Sequence, residues 1–291
     1  YDPVFTVRPL LARRFFSALA KPCIVAPRGE FSAGAIMLKA TKKRLYNAIA
    51  FYFDFYKGAV FQASSEHEVQ DIVRVLGLER ARIEIAIDLP ELKPFPKADL
   101  GLEFRSGAGD TLRIIFLSRI SPKKNLDFAI KALSLTKGGA VFDIYGPVED
   151  ENYWRKCQAL FAELPSNIAI NYCGSVLPSE TQEIFSRYDL FLFPTRGENY
   201  GHVIAESLSA GTPVLLSDQT PWRALESKGL GWDMPLTSPM KFAEKIDQFA
   251  SLASGLRNRQ RVMVQAHAIK ILQSPEIKEA NLDLFRARLD S

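Results

Sequence analysis

Long hydrophobic runs are missing from this sequence. No uncharged apolar stretch approaches the roughly 20 residues that a membrane-spanning helix requires. The most apolar region, residues 45–61, is broken by Asn47, Asp54 and Lys57. The opening YDPVFTVRPLL also lacks a basic region followed by an apolar run and a small-residue cleavage site. We therefore expect no transmembrane segment and no signal peptide, and a chain that begins inside a longer protein.

Cysteine is also scarce. The chain has three cysteines, Cys23, Cys157 and Cys173, and no CxxC spacing. An odd set of this kind argues against a disulfide framework, a zinc ribbon and a thioredoxin-like redox site. The cysteine content predicts a protein of a reducing compartment, the cytoplasm. No repeat of about 20 to 50 residues is visible, so a solenoid is not expected.

The overall composition is typical of soluble globular proteins. Of the 291 residues, 47% are hydrophobic and 24% are charged. Disordered and fibrous classes are therefore excluded. The length is enough for two domains, each with a buried core.

Charge is distributed unevenly along the chain. Residues 1–60 contain ten lysines and arginines and three acids, a net charge of +7, whereas the whole chain has +4. The excess indicates an anionic partner for this part: a membrane surface, a phosphorylated substrate or nucleic acid. A solvated helix face explains it equally well. The hypothesis of a peripheral contact with an anionic membrane rests on a basic group beside two apolar residues: Lys39, Lys42, Lys43 and Arg44, with Leu45 and Ile49.

From Leu112 onward, short apolar runs alternate with amphipathic segments. Runs typical of strands are LRIIFLS, AVFDIYG, IAINYCG, DLFLFP, PVLLS and GWDMP. Helices are predicted between them, including one after Gly201 and a short one after Thr220. This alternation indicates a parallel sheet covered on both faces, which is a doubly wound α/β domain.

The preceding part predicts a smaller, incomplete Rossmann-like sheet. PCIVAP and GAVFQAS are typical of two further buried strands, joined by a helical stretch with an apolar stripe at helix spacing. The stripe consists of Leu38, Leu45, Ile49, Tyr52 and Tyr56. Residues 88–110 have the proline and glycine content of a linker. We therefore predict domains at residues 1–105 and 106–270, and a C-terminal helix in residues 271–291 that packs back toward the N-terminal part.

The carboxyl ends of the strands are the places to search for chemistry, because open α/β sheets bind ligands there. Arg119 and Lys124 follow the first strand of the second domain and precede a helix N-terminus, which itself favours anions. This pattern suits a phosphate or a diphosphate, and a solvated basic loop is the alternative. The segments after the next two strands, at Gly146 and Val176, are candidate walls of a nucleobase pocket.

Residues 197–217, GENYGHVIAESLSAGTPVLLS, carry two glutamates eight residues apart. Glu198 stands where a strand ends, and Gly201 permits a tight turn before a helix. Helix geometry throughout would separate Glu198 from Glu206 by about 12 Å along the axis, which is too far for an acid/base pair acting on one bond. The two carboxylates suit the ends of an extended ligand instead. Because an unpaired acid on a mostly apolar helix is costly, we assign Glu206 a function.

These residues resemble the retaining nucleotide-sugar glycosyltransferases of family 4, which have the GT-B fold. The resemblance is carried by Glu198 and Glu206 with Gly201 between them, by the continuation SAGTPVLLSD, and by Arg119 and Lys124 upstream. The segments PRGEF and KKRLY are similar to the bacterial surface-polysaccharide branch of that family. The resemblance runs from about Phe5 to Leu289.

The resemblance implies a role for each matching position. Arg119 and Lys124 would bind the donor diphosphate, in agreement with the need for preorganised positive charge where negative charge develops. Glu198 would contact hexose hydroxyls at the catalytic centre, and Glu206 would accept hydrogen bonds from the ribose. Backbone amides facing the sugar and phosphate would come from Asn199, Tyr200, Gly201 and His202. No metal cofactor is expected, since the cations replace one and a DxD-like acidic cluster is missing.

The implied reaction is the transfer of a hexose from a nucleotide-diphosphate sugar to a saccharide or lipid-linked acceptor in polysaccharide biosynthesis. Arg28 and Glu30, at the end of a strand of the first domain, are acceptor-side candidates. The sequence departs from the family at Ser118 and Asn125, where glycine is common. Judged by the usual domain size, it also begins about 80 to 100 residues late, so that the family's N-terminal glycine-rich loop and histidine are missing.

Three other functions compete with this one. A dinucleotide-binding oxidoreductase would share the fold, but no strand is followed by GxGxxG with an acid about 20 residues later. A non-catalytic nucleotide-sugar binding module would share the site without turnover, and this alternative stays open. Nucleic-acid binding is not expected, because the aromatics from Phe51 to Phe61 are interpreted as core and not as a basic and aromatic surface.

Overall fold

The structure is a computed structural model that describes residues 6–16, 22–31, 36, 40–87 and 111–289. The helices, in chain order, are α1 (Arg8–Phe15), α2 (Ala40–Tyr52), α3 (Glu66–Leu76), α4 (Leu126–Ser134), α5 (Glu151–Phe161), α6 (Thr181–Phe185), α7 (His202–Ser209), α8 (Pro239–Ala250), α9 (Ser254–Leu272) and α10 (Pro275–Leu289). The strands are β1 (Cys23–Val25), β2 (Ala59–Ala63), β3 (Ile83–Ile85), β4 (Leu112–Leu117), β5 (Ala140–Tyr145), β6 (Ile168–Gly174), β7 (Leu190–Phe193), β8 (Val214–Ser217) and β9 (Gly231–Met234).

Two compact units make up the chain. The first is Tyr1–Leu89 together with Ser274–Ser291, and the second is Pro90–Gln273. The expected linker, residues 88–110, lies outside the described residues. The domain boundaries inferred from the sequence therefore stay predictions.

The first unit contains a parallel sheet with the strand order β1-β2-β3. Sequence analysis found β1 and β2 but missed β3, which is three residues long and has Glu84 at its centre. Phe61, Ile72 and Ile83 are almost fully buried and join β2, α3 and β3 in one core. Within this unit α10 packs against the sheet, because buried Leu284 contacts Val60 and Ala86.

The apolar stripe predicted at helix spacing lies on α2, and its described helical members are exposed. Leu45, Ile49 and Tyr52 are exposed, with exposed fractions of 63% for Leu45 and 82% for Tyr52. Tyr56 lies beyond the helix and is buried, whereas Leu38 lies outside the described residues. Helix spacing was recognised correctly, but no described element covers this face of α2.

The aromatic segment that follows is only partly core. Phe51, Tyr52 and Phe53 are exposed, whereas Phe55, Tyr56 and Phe61 are buried. The interpretation of this segment as core was therefore wrong for its first three aromatics. Phe53 stacks on Phe55 with ring centres 6.0 Å apart, where the chain turns between the end of α2 and β2.

The second unit contains the expected doubly wound parallel sheet. Its strand order is β6-β5-β4-β7-β8-β9, so the chain starts in the middle and moves outward in both directions. Every residue of β7 and β8 is buried, as expected of strands covered on both faces. Helix α4 packs with α5 and α8, and α7 packs with α6 and α9. The prediction for Leu112 to Met234 is confirmed.

The short helix predicted after Thr220 is wrong. Residues 225–229 form turns, and Ala224 and Gly229 both have positive φ, of 55° and 65°. The backbone N–H of Leu225 donates to the Asp233 carboxylate at 2.9 Å, so this N–H is hydrogen-bonded without a helix.

Among the described helices, none combines the length and the apolar character that crossing a membrane would require.

Candidate active site

The segment after β4 carries the two cations that the sequence singled out. Arg119 is exposed, and its guanidinium pairs with Glu149 at 2.7 Å. A 3-10 turn, Pro122–Lys124, then brings Lys124 inward, where its side chain is only 10% exposed. Asn125 follows in the left-handed conformation, with φ 61° and ψ 38°, and begins α4.

Lys124 and Glu198 form a nearly buried ion pair at the carboxyl edge of the sheet. The Glu198 side chain is 11% exposed, and its Oε1 contacts the Lys124 ammonium. The hydroxyl of Thr195 donates to the same carboxylate oxygen at 3.2 Å. The ammonium also lies 5.4 Å from the centre of the Phe193 ring. Two residues 74 positions apart in the sequence are thus held together with little solvent around them.

Backbone and amide hydrogen bonds hold the segments after β4 and β7 in register. The Arg196 N–H donates to the Lys123 carbonyl at 2.8 Å. The Asn125 Nδ2 donates to the Pro194 carbonyl, also at 2.8 Å. From the segment after β8, the Gln219 carbonyl accepts a hydrogen bond from the Glu198 N–H at 3.2 Å. Three strand ends therefore fix the position of Glu198.

Gly201 shapes the entry into α7. Its φ is 80°, and a Cβ built there would lie 2.7 Å from Cδ1 of Ile204. Helix α7 begins at His202, so Glu198 lies outside it. The separation of about 12 Å expected from helix geometry throughout therefore does not apply. The Ile204 N–H, in the first turn of α7, donates to the Gly201 carbonyl at 2.8 Å.

Glu206 lies in α7 and is half-buried. Burial raises the pKa of the Glu206 carboxyl above its ordinary value, and a hydrogen bond with Thr181 acts in the opposite direction. A carboxylate held partly out of water gains from any ligand hydroxyl that donates to it. Whether Glu206 binds a ribose stays a prediction.

Gly146 follows the last residue of β5 at a position where the packing leaves no space for a side chain. Its φ is 131°, and a Cβ there would lie 1.9 Å from the Ser118 carbonyl oxygen, so no side chain fits. Gly146 thereby brings the ends of β4 and β5 close together, next to Arg119. Val176, after β6, is half-buried and precedes the exposed Leu177. Whether these positions contact a nucleobase stays a prediction.

Three rings, those of Tyr200, His202 and Trp222, lie together near the start of α7. Tyr200 is buried, and its ring centre lies 5.1 Å from that of His202 and 5.7 Å from that of Trp222. The Trp222 indole N–H donates to the Tyr200 carbonyl at 2.7 Å. Sequence analysis missed Trp222, because its position after β8 was assigned to a short helix. Asn199, between Glu198 and Tyr200, is half-buried.

Arg28 lies in the first unit, at the carboxyl end of β1. It has a positive φ of 51°, and Gly29 follows with φ 82°. The Gly29 N–H donates at 2.6 Å to Glu68, a buried carboxylate that also accepts from the Ser64 N–H at 2.8 Å. A non-glycine residue in this conformation stores strain, which the contacts of Glu68 hold in place.

A metal centre is not evident among the described residues. No group of three or more His, Cys, Asp or Glu side chains in this part of the chain is arranged to hold a metal ion. The segments after β4 and β7 carry Arg119, Lys123, Lys124 and Arg196 with Glu198, whereas the segments after β5 and β8 carry the acids Glu149, Asp150, Glu151 and Asp218. Positive charge is thus concentrated on the segments after β4 and β7, which suit an anion.

The comparison with family models decides the relationship. Residues 103–266 match the model for glycosyl transferases group 1, which is more than half of the chain. The chain belongs to this family. Two curated relatives are D-inositol 3-phosphate glycosyltransferases. The protein of Nocardia farcinica is 28% identical over 54% of this chain and 37% of its own length, and that of Mycobacteroides abscessus is 26% identical over 52% and 35%. The chain therefore spans little more than a third of these relatives.

Solved structures show the same fold as this group 1 glycosyltransferase. HepE of Anabaena, in complex with UDP and glucose, has a TM-score of 0.71 at 14% identity, covering 97% of this chain and 76% of HepE. WaaG, a glycosyltransferase of lipopolysaccharide biosynthesis, has a TM-score of 0.67 at 16% identity, covering 90% and 75%. The chain has the GT-B fold that the sequence resemblance implied.

Proposed function

We propose that this group 1 glycosyltransferase is a retaining enzyme that transfers a hexose from a nucleotide-diphosphate sugar to a saccharide or lipid-linked acceptor. The observation that carries the proposal is the nearly buried Lys124–Glu198 pair at the carboxyl edge of the sheet, beside the N-terminus of α7. The family membership and the UDP in complex with the similar HepE support a nucleotide-sugar donor. A role in polysaccharide biosynthesis is part of the proposal.

The donor diphosphate is assigned to the cations after β4. In the transfer, the bond between the anomeric carbon and the diphosphate oxygen breaks, and its electron pair stays on the diphosphate. The acceptor oxygen bonds to the anomeric carbon and gives up its proton to the departing diphosphate oxygen. Lys124, with Arg119, neutralises the negative charge that grows on the leaving group. No step in this assignment requires a metal ion.

The two glutamates are assigned to opposite ends of the donor. Glu198 is held by Lys124 and Thr195 and would accept hydrogen bonds from hexose hydroxyls. Glu206 would accept hydrogen bonds from the two vicinal ribose hydroxyls, which a carboxylate can receive at once. The amides of Asn199, Tyr200, Gly201 and His202 are assigned to the sugar and the phosphates.

Acceptor binding and membrane contact are assigned to the first unit. Arg28 in its strained turn is the acceptor-side candidate. Leu45, Ile49 and Tyr52 form an exposed apolar face of α2, which supports a peripheral contact with an anionic leaflet that carries a lipid-linked acceptor. Lys43, one of the four cations of the hypothesis, pairs with Glu30 at 3.0 Å. The side chains of the other three, Lys39, Lys42 and Arg44, lie outside the described residues.

Replacing Lys124 tests the donor site. We expect Lys124→Ala to weaken nucleoside diphosphate binding by about 1.5 to 3 kcal/mol and to slow transfer, because a charge-assisted hydrogen bond to the diphosphate is lost. Isothermal titration with UDP and GDP measures the affinity, and release of nucleoside diphosphate from a nucleotide-sugar panel measures turnover. Lys131→Ala is the matched control, because Lys131 is an exposed lysine of α4.

The outcomes separate the candidate functions. Unchanged diphosphate affinity and turnover in a folded Lys124→Ala protein would contradict the assignment. Binding of a nucleotide sugar by the unaltered chain without any transfer would instead support a non-catalytic nucleotide-sugar binding module.

A further inference from the structure

The Arg196 guanidinium is hydrogen-bonded to the protein through its Nε and not through its two terminal nitrogens, within the described residues. Its Nε donates to the Asn125 Oδ1 at 3.0 Å, and its backbone N–H donates to the Lys123 carbonyl at 2.8 Å. The residue is exposed. Within the part of the chain that the structure describes, the terminal nitrogens Nη1 and Nη2 have no acceptor, and no carboxylate pairs with Arg196. The free edge therefore keeps the fork geometry that binds oxyanions in a bidentate manner.

Asn125 is the residue that orients this guanidinium. It is buried, and its side chain is used twice, since Nδ2 donates to Pro194 and Oδ1 accepts from Arg196. Its backbone is left-handed, a conformation in which glycine is free of strain and asparagine is tolerated. Glycine would supply the turn but neither hydrogen bond. The asparagine side chain thus adds a specific connection from the segment after β4 to Arg196.

The neighbouring charges leave Arg196 as a surplus cation. Lys124 is paired with Glu198, and Arg119 with Glu149. Arg196 lies two residues before Glu198, on the same short segment after β7. A cation in this place, held at its Nε, is positioned for an anionic group that the diphosphate-binding residues do not already neutralise.

We propose that Arg196 binds an oxyanion of the substrate, a carboxylate or a phosphate, and that Asn125 is its positioning residue. The proposal rests on the proposed function, because it takes the Lys124–Glu198 edge as the donor site. Two sources supply this chemistry. One is an acidic donor hexose, such as a hexuronic acid, and the other is a phosphate group on the acceptor. Arg196 would then determine the charge of the sugar or acceptor that is selected.

The experiment measures a preference for charge. In the donor arm, titrations compare UDP-glucuronate with UDP-glucose, or GDP-mannuronate with GDP-mannose, for whichever nucleotide binds. In the acceptor arm, inorganic phosphate is titrated into protein saturated with the nucleoside diphosphate. The variants are Arg196→Gln, Arg196→Lys and Asn125→Gly, the last of which preserves the left-handed backbone. Arg187→Gln is the matched control, because it removes an equally exposed arginine from an ion pair with Glu183.

A charge-specific role predicts a charge-specific loss. We expect the unaltered chain to bind the charged probe of one arm at least about tenfold more tightly than Arg196→Gln does. The nucleotide that carries an uncharged hexose, and the nucleoside diphosphate itself, should bind equally to both. Arg196→Lys should restore part of this preference, Asn125→Gly should lose most of it, and Arg187→Gln should keep it. A preference in the donor arm identifies the hexose as the source, and one in the acceptor arm identifies the acceptor.

Two results would overturn the proposal, and they differ in what they say about the donor site. If the unaltered chain binds the nucleotide but shows no charge preference in either arm, or if Arg196→Gln keeps the preference, Arg196 has no such role. If the unaltered chain binds neither UDP nor GDP, the proposed function fails and this inference fails with it.

Discussion

Glu206 is a half-buried acid whose protonation should link the stability of the fold to nucleotide binding. Burial raises its pKa, so the folded free protein holds a proton on this carboxyl more readily than the unfolded chain does. The stability that this group contributes is therefore present at low pH and is lost as the pH rises through the raised pKa. Ribose hydroxyls that donate to the carboxylate favour its ionised form, so nucleotide affinity should rise over the same pH interval.

Replacing Glu206 with glutamine tests this argument at the scale of one residue. We expect Glu206→Gln to weaken nucleotide binding by about 1.5 to 3 kcal/mol, because an acceptor becomes a donor. The free protein should melt at the same or a higher temperature near neutral pH, and the part of the pH dependence of affinity that comes from this carboxyl should disappear. Thermal shifts with and without UDP or GDP measure both effects. Glu183→Gln, an exposed glutamate of α6, is the control.

Each other outcome for Glu206→Gln has a distinct meaning. A nucleotide-induced shift equal to that of the unaltered chain would contradict the ribose assignment. A lower melting temperature without ligand would point to a structural role for the carboxylate.

At the scale of elements, α9 holds α7 in place through a buried arginine. Arg261 donates to the Gly211 carbonyl at 3.3 Å and to the Ser186 carbonyl at 2.5 Å. Burial lowers the pKa of its guanidinium to about 10, although Asp189 acts in the opposite direction. Gly211 permits the close approach, since a Cβ there would lie 2.9 Å from the Arg261 carbonyl oxygen. The helix that carries Glu206 thus depends on a second helix for its position.

The variant Arg261→Met should lower the free energy of unfolding of the second unit by about 2 to 4 kcal/mol, because the buried Gly211 carbonyl and the half-buried Ser186 carbonyl lose their donor. Urea denaturation measures the loss in the free energy of unfolding. Hydrogen exchange of the amides in β7 and β8 measures it a second time. Arg259→Met, on the exposed side of the same helix, should change little. Equal stabilities of the two variants would show that α9 is held by its apolar contacts alone.

At the scale of the whole molecule, charge and apolar exposure coincide in the first unit. Residues 1–60 carry a net charge of +7, and the exposed side chains of the described part include Phe15, Phe16, Leu45 and Tyr52. Arg14 donates to the Phe53 carbonyl at 3.0 Å, which places α1 beside the end of α2. Each cation near an anionic leaflet contributes about 1 kcal/mol. We expect binding to vesicles that contain phosphatidylglycerol and a decrease of binding with salt.

Vesicle sedimentation checks the membrane prediction. The double variant Leu45→Ser with Tyr52→Ser should reduce binding without loss of fold, because both side chains are exposed. Leu177→Ser, an equally exposed leucine of the second unit, should bind as the unaltered chain does. Sedimentation that depends on neither anionic lipid nor salt would refute the contact.

Local patterns in the sequence determined the second unit's sheet and selected the edge at which its chemistry is proposed. Apolar runs from LRIIFLS to GWDMP predicted the parallel strands, because a strand buried on both faces needs apolar residues at successive positions. Because open α/β sheets bind ligands at the carboxyl ends of their strands, the positions just after the strands were searched, and Arg119, Lys124 and Glu198 were selected there. Gly146 and Gly201 were also selected from the sequence, and the structure shows the close contacts that a Cβ would make at each position.

Tertiary structure alone decided which of these groups meet. Lys124 and Glu198 are 74 residues apart, and Asn125 and Arg196 are 71 apart, so no local pattern pairs them. Phe51, Tyr52 and Phe53 were misinterpreted as core for the same reason, because a run of aromatic residues does not show whether another element covers them. The turns after Thr220 depend on Asp233, which lies in the next strand. Long-range hydrogen bonds and burial are properties of the folded chain, since they arise only when distant segments share one edge of the sheet.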